Sequence, residues 1–416
     1  QMKYLLMEIM DAAEFKWEER FIAAFSCTLE GINYSALKRL DKESSAPGEG
    51  RTVLAFSVKP MDSSSFYNGN TYLDTMNAEA TQHFIEITHD AYKKHCGDRI
   101  GTSIKGIFTD EPHRGMVMCH KVDQGGLSAS ERCTPWTPAL PAAFQKEYGY
   151  DLLDHLPTLF LRPEGQRIVR VKWEYMELIQ KLFLENFAKP IQKWCRENQM
   201  ILTGHALHED TLGAQAVPCG SMMRFYEYMD YPGVDVLTEG NKNYWIVKQL
   251  SSVARQLDKK WLLSELYGCT GWQFNFASHK AVGDWQSLLG INLRCHHLSW
   301  YTMEGEAKRD FPASIFYQSA WYPEYKEVET YFSRVQAFMS RGEPECNILV
   351  LNPVESAWAQ IYTGWATWLS AAAPEVVALD QKYQQLLLWL LSAQMDFDIG
   401  DEDMLARHGK IEKEST

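Results

Sequence analysis

The apolar positions of the chain switch between two spacings. Up to residue 59 they cluster in two β-like runs, 21–28 and 52–58, on either side of a polar stretch, 41–50, whose Gly, Ser and Pro content reads as a loop. A β-rich excursion over residues 1–70 is the expectation. Beyond it the spacing turns helical: Asn77 stands where an N-cap belongs, and Phe84, Ile87, Ala91 and Tyr92 recur at helix intervals until Gly97. A short β-branched run, 104–109, follows and ends in Asp110-Glu111-Pro112.

The cycle then repeats. A helical region over 165–198, with Met176, Ile179, Phe183 and Phe187 on one stripe, leads to a strand at 200–203 that ends in Gly204-His205-Ala206-Leu207-His208-Glu209-Asp210. Further runs at 233–237, 260–263 and 292–299 are followed by Glu239, by Ser264-Glu265 and by Trp300-Tyr301. Strands alternating with helices predict a parallel sheet, and polar or aromatic residues at strand exits predict a (β/α)-barrel. A doubly wound sheet would carry a Gly-rich first turn, and none is present. The expected fold class is α/β, a partial (β/α)8 TIM barrel over 71–340. After a break at Arg341-Gly342-Glu343-Pro344, the runs 347–353, 381–393 and 396–399 predict the start of a flavodoxin-like α/β domain over 345–416.

Composition narrows the function. A net charge of −13 with no block of basic residues excludes nucleic acid and acidic membrane surfaces as partners. The longest apolar run, 386–391, is far short of the roughly 20 residues that span a bilayer. Nine cysteines, with neither a Cys-x-x-Cys pair nor an even framework, suit reduced thiols in a cytoplasmic protein. The chain begins at Gln1 without a charged-then-apolar leader, which reads as an internal fragment or a chain whose start is missing. Its 14 Trp and 20 Tyr suit stacking on sugar rings and suit a large aromatic core equally well.

Breaking a glycosidic bond takes one carboxyl group to protonate the leaving oxygen and a second to attack or to activate water. Glu111, just beyond a buried strand, is the candidate acid, because partial desolvation there keeps a proton available near neutral pH. The competing reading of the same residues is a helix start, with Asp110 as cap and Pro112 in the first turn. Glu265 is the candidate nucleophile or base and Glu239 its rival. The expected substrate-binding set is Asp110, His205, His208, Glu209, Glu239, Tyr267, Trp272, His297, Trp300 and Tyr301, with hydroxyl partners and stacking faces combined. His205 and His208 lack the His-Glu-x-x-His spacing of a zinc helix, so no metal is assigned to them. Lys308, Arg309 and Asp310 read as an ion-pair network before they read as a hydroxyl anchor.

These residues resemble a known group. Tyr72-Leu73-Asp74, Gly106-Ile107-Phe108-Thr109-Asp110-Glu111-Pro112, Thr203-Gly204-His205, Tyr226-Glu227-Tyr228, Pro232-Gly233-Val234-Asp235, Ser264-Glu265-Leu266-Tyr267-Gly268 and Ser299-Trp300-Tyr301-Thr302-Met303 look like the barrel of α-L-rhamnosidase-like glycoside hydrolases. That group is similar to the larger glycosidase clan whose acid stands in Asn-Glu-Pro after strand four. This chain has Asp110 in place of that Asn, which alters the usual contact to the sugar 2-hydroxyl. The resemblance implies inversion with a calcium ion near the sugar in the rhamnosidases, and retention through a covalent intermediate in the wider clan; both stay open. No cofactor is required for the chemistry itself. The resemblance also implies that three strands precede the excursion, leaving strands four to eight here.

The leading expectation is therefore hydrolysis of a terminal glycoside, rhamnoside or galactoside-like. The alternatives are a carbohydrate-binding module without turnover and a metal-dependent hydrolase built on the histidines. A barrel lacking three strands exposes two edges. The isolated chain is thus expected to be poorly soluble, oligomeric or inactive; a chain extended upstream is expected to be soluble and active. Sedimentation and glycosidase assay of both check this.

Overall fold

A computed structural model describes residues 1–43, 48, 50–115, 130–305, 311, 315–362 and 373–410. Lys308, Arg309 and Asp310 lie outside them. The amino-terminal part is built on a sheet of strands β1 (Lys3–Asp11), β2 (Phe21–Glu30), β3 (Asn33–Leu40), β4 (Thr52–Pro60), β6 (Glu131–Trp136) and β7 (Arg162–Pro163), in the order β6-β1-β4-β2-β3-β7. All its neighbours are antiparallel except the β3/β7 pair. Two of these strands, β2 and β4, match the β-like runs. β1 has no polar alternation because both its faces are covered: Leu5 and Met7 enter the main core, while Tyr4 and Leu6 pack with Cys133.

The second sheet is fully parallel and carries the site. Its strands are β5 (Gly106–Thr109), β8 (Ile201–Gly204), β9 (Tyr231–Val236), β10 (Leu263–Leu266) and β11 (Leu293–His296), in the order β11-β10-β9-β8-β5. Helices separate successive strands, among them Ala78–Phe84 ahead of β5, Arg170–Phe183 ahead of β8, Tyr244–Gln256 ahead of β10 and Phe276–Leu288 ahead of β11. The sheet curls as half a barrel. Val234, Val236 and Leu266 are wholly buried. The ladder aligns Phe108 with Thr203, Thr203 with Tyr231, Asp235 with Glu265, and Glu265 with Cys295, so these residues share the opposite, concave face.

Three expectations need correction. The helical region over 165–198 is interrupted by a π turn at Leu184–Ala188, just before Pro190, which has no N–H to continue the ladder. β10 starts at Leu263 and not at residue 260, so Glu265 sits inside the strand and not beyond it. No helix starts at Pro112: residues 110–115 are irregular, and Glu111 adopts a left-handed φ of 50°. Asn77 does cap its helix, accepting from the Glu79 and Ala80 amides at 3.0 and 3.2 Å.

The carboxyl-terminal part adds two parallel strands, β12 (Leu349–Leu351) and β13 (Asp398–Gly400), with helices Val354–Trp358 and Pro374–Ser392 between them. A buried ionic cluster joins it to the half-barrel. Arg224 donates through Nε to Asp401 Oδ1 at 2.8 Å and through Nη2 to Glu355, while Ser221 Oγ donates to Asp401 Oδ2 at 2.8 Å. Asp401 is fully buried and also caps the helix Glu402–His408. Removing one partner of such a cluster strands a buried charge, a loss of about 3–5 kcal/mol. Arg224→Ala is therefore expected to lower the denaturant midpoint by that equivalent, whereas Arg407→Ala, on a more exposed pair with Glu227, costs about 1 kcal/mol or less. Equal midpoints for the two variants would remove the cluster from the account of stability.

Candidate active site

Each of the five parallel strands delivers one polar residue to the same place. Asp110 follows β5, His205 follows β8, Asp235 lies in β9, Glu265 lies in β10, and His297 follows β11. Their approach depends on two glycines. A Cβ on Gly204 would meet the Thr109 carbonyl oxygen at 2.0 Å, and one on Gly233 would meet the Gly204 oxygen at 2.4 Å. Glu111 is held at the rim from behind: His113 stacks on Tyr72 at 4.1 Å, and the buried Arg114 donates to the Ala216 and Met176 carbonyls at 2.7 and 3.2 Å.

The centre of the group is His205, which is fully buried. Its Nε2 lies 2.8 Å from Glu265 Oε2 and 3.5 Å from Asp110 Oδ1. On the other side of Glu265, His297 Nε2 lies 3.5 Å from Oε1. Burial alone would strip His205 of its proton, but the hydrogen bond with Glu265 and the carboxyls of Glu209 and Asp235 outweigh it and lift the imidazole to about 9. Glu265 shows the reverse balance: burial raises its pKa, and the two imidazoles more than offset this and hold it below its ordinary value. Glu111 reaches solvent, yet desolvation by its surroundings raises its carboxyl; His205 opposes this, and Asp110 and Glu265 reinforce it. Asp235 is raised to about 7, by burial first and then by Glu265, Glu111 and Asp110, against the pull of His205.

The other expected residues are dispersed. Glu209 is buried behind the group, accepting from Tyr226 Oη and from the Asp235 amide, each at 2.8 Å, so it braces β9 and does not face the mouth. Tyr267 turns onto the helix side, where its ring meets His279 at 4.7 Å and its hydroxyl accepts from Arg294. Glu239 is on an exposed loop and accepts from Ser278 Oγ at 2.6 Å. His208 lies 3.9 Å from Asp210. Trp272 and Trp300 form an edge-on pair at 5.0 Å, and Tyr301 is 99% exposed beside them. The residues that sequence reasoning passed over are Asp235 and Phe108, whose ring lies edge-on to His205 at 5.5 Å. A carboxylate between Val234 and Val236 was the available signal, since a charge inside an apolar strand is costly without a task.

Asp110, His205 and Glu265 place ligand atoms within 4.8 Å of one another. Calcium takes six to eight oxygens. Two carboxylates and an imidazole that already contacts Glu265 do not make that site among the described residues. No helix among the described residues is long and apolar enough to cross a membrane.

No protein-family model matches the chain. It is 21% identical over 291 residues to a Formosa agariphila protein named "Putative beta-glucuronidase", covering 67% of this chain and 22% of that one. It also superposes on the structure of a rhamnosidase from Novosphingobium sp. PP1Y with a TM-score of 0.59 at 15% identity, over 95% of this chain and 36% of that chain. The fold is thus shared with a glycosidase, and this chain spans about a fifth to just over a third of the length of the proteins it matches.

The raised imidazole has a linkage consequence. His205 gains proton affinity on folding, so its contribution to stability is fully present below about 6.5, its unfolded value, and is lost as pH rises toward about 9. Asp235, also raised, pulls the same way, but between its ordinary 3.8 and about 7, below most of the range in which His205 acts. Stability measured by denaturant is expected to fall between pH 6.5 and 9, with a shallower slope in His205→Gln. An unchanged slope in that variant would rule out His205 as the source.

Proposed function

We propose that the chain carries the reacting face of a glycoside hydrolase, with Glu111 as general acid and Glu265 as the second carboxylate. The observation that carries this reading is that two carboxyls converging on one strand-end mouth are driven in opposite directions, Glu111 toward keeping its proton and Glu265 toward losing it. Glu111 protonates the departing glycosidic oxygen; Glu265, ionised between His205 and His297, attacks the anomeric carbon or takes the proton of the water that does. Trp272 and Tyr301, both exposed, are the ring faces available to the sugar or its aglycone. The substrate class that follows is a terminal glycoside, rhamnoside or galactoside-like, a choice supported by the fold shared with a rhamnosidase.

A panel of nitrophenyl glycosides, followed by natural disaccharides, tests the reading. Glu111→Gln is expected to slow poor leaving groups at least tenfold more than activated aryl glycosides, since protonation matters little when the group departs easily. Glu265→Ala is expected to fall by about 10³ or more, with azide restoring part of the rate if Glu265 is the nucleophile, while Glu239→Ala stays within about threefold. Equal losses on both leaving groups for Glu111→Gln, or a fully active Glu265→Ala, would overturn the assignment. The anomer formed first separates retention from inversion.

A further inference from the structure

Two buried polar atoms beside the proposed acid and base have no hydrogen-bond partner: His205 Nδ1 and Asp235 Oδ1. They belong to adjacent parallel strands, about 4.8 Å apart. The ladder sets Thr203 against Tyr231 and Gly204 against Pro232, which brings His205 level with Gly233. Gly233 has no side chain to stand between, and the next residue on the same face is Asp235. The remaining nearby carboxyl, Glu209, is already occupied at both oxygens by Tyr226 Oη and the Asp235 amide. That amide contact fixes the backbone from which the Asp235 side chain extends.

We propose that Asp235 is the positioning residue of this site: Oδ1 accepts a hydrogen bond from His205 Nδ1–H, which fixes the ring with Nε2 on Glu265. The result is a carboxylate, imidazole, carboxylate chain running across three neighbouring strands, β8, β9 and β10. Closing it satisfies both orphaned atoms. Asp235 then acts on the reaction through His205, without touching the sugar. The proposal rests on Glu265 being a reacting group, but its first readout does not need turnover.

With ring-¹⁵N-labelled histidine in the full chain, the His205 Nδ1–H resonance, assigned by its loss in His205→Gln, is expected downfield and slow to exchange, and is expected to vanish or move upfield in Asp235→Ala. An Nδ1 signal indifferent to Asp235→Ala overturns the proposal, whatever the enzyme does or does not hydrolyse. Asp235→Asn, which is isosteric and keeps an acceptor oxygen, is expected to retain much of the signal and guards against a variant that fails to fold. On whichever nitrophenyl glycoside the wild-type chain turns over, Asp235→Ala is expected to lose about tenfold in kcat with KM within about twofold, and His205→Ala/Asp235→Ala to be no slower than His205→Ala alone. Additive losses in the double variant, or a raised KM with kcat unchanged, would mean that Asp235 contacts substrate directly and would overturn its positioning role.

Discussion

One buried imidazole sets the terms for the whole mouth. Glu209, Asp235 and Glu265 bring three carboxyls into a space where few water molecules reach, an arrangement that repels itself unless some are neutral or a positive charge stands among them. His205 supplies that charge, in contact with Glu265 and within electrostatic reach of Glu209 and Asp235. The consequences are unequal. Glu265, in direct contact with the ring, is driven toward ionisation, whereas Glu209, which has no contact with the ring, is pushed up to about 8 by burial. The division between an ionised and a protonated carboxyl thus follows from where a single ring can reach.

The ring is where it is because backbone, not side chain, fills the space around it. Gly204 and Gly233 let the exits of β5, β8 and β9 approach more closely than any Cβ would permit, which draws Asp110 and His205 over the end of the sheet. Behind them, Glu209 ties the segment after β8 to the β9 amide, and Arg114 ties the segment after Glu111 to the helix Arg170–Phe183. These ties brace the floor of the mouth, whereas Trp272 and Tyr301 stand exposed.

Much of this was legible in the sequence, for physical reasons that also explain what was not. The parallel strands announced themselves because each is a short apolar run followed at once by polar residues and then by a helical pattern, as at Thr109-Asp110-Glu111 and Thr203-Gly204-His205. β1 escaped because burial on both faces erases alternation, and β7 because two residues carry no pattern at all. Within the site, Asp110, Glu111, His205 and His297 follow strand ends, where polar residues draw attention. Asp235 was hidden by being inside a strand, and a three-residue shift in bounds, from 260–263 to Leu263–Leu266, set Glu265 beyond β10 when it lies within it. Tyr267 could not be placed, because its left-handed φ of 77° reverses the side that strand alternation assigns to it.

Local rules are broken together around His205, in contrast to the ion-pair cluster at Arg224. A cluster built for stability satisfies its own donors and acceptors, as the Arg224 group does: Asp401 alone takes contacts from Arg224, from Ser221 and from the amides of Asp403 and Met404. Around His205 the opposite holds. Asp235 Oδ1, His205 Nδ1 and His297 Nδ1 are buried and unpaired, and Glu111 pays for a left-handed backbone that its side chain does not favour. Costs of this kind persist only where the surrounding fold enforces them, and here the enforcing elements, two glycines and a buried arginine, surround the same few ångströms. Of these atoms, His297 Nδ1 is the one that the contact between Asp235 and His205 leaves unpaired, and a hydroxyl of a bound molecule is able to satisfy it.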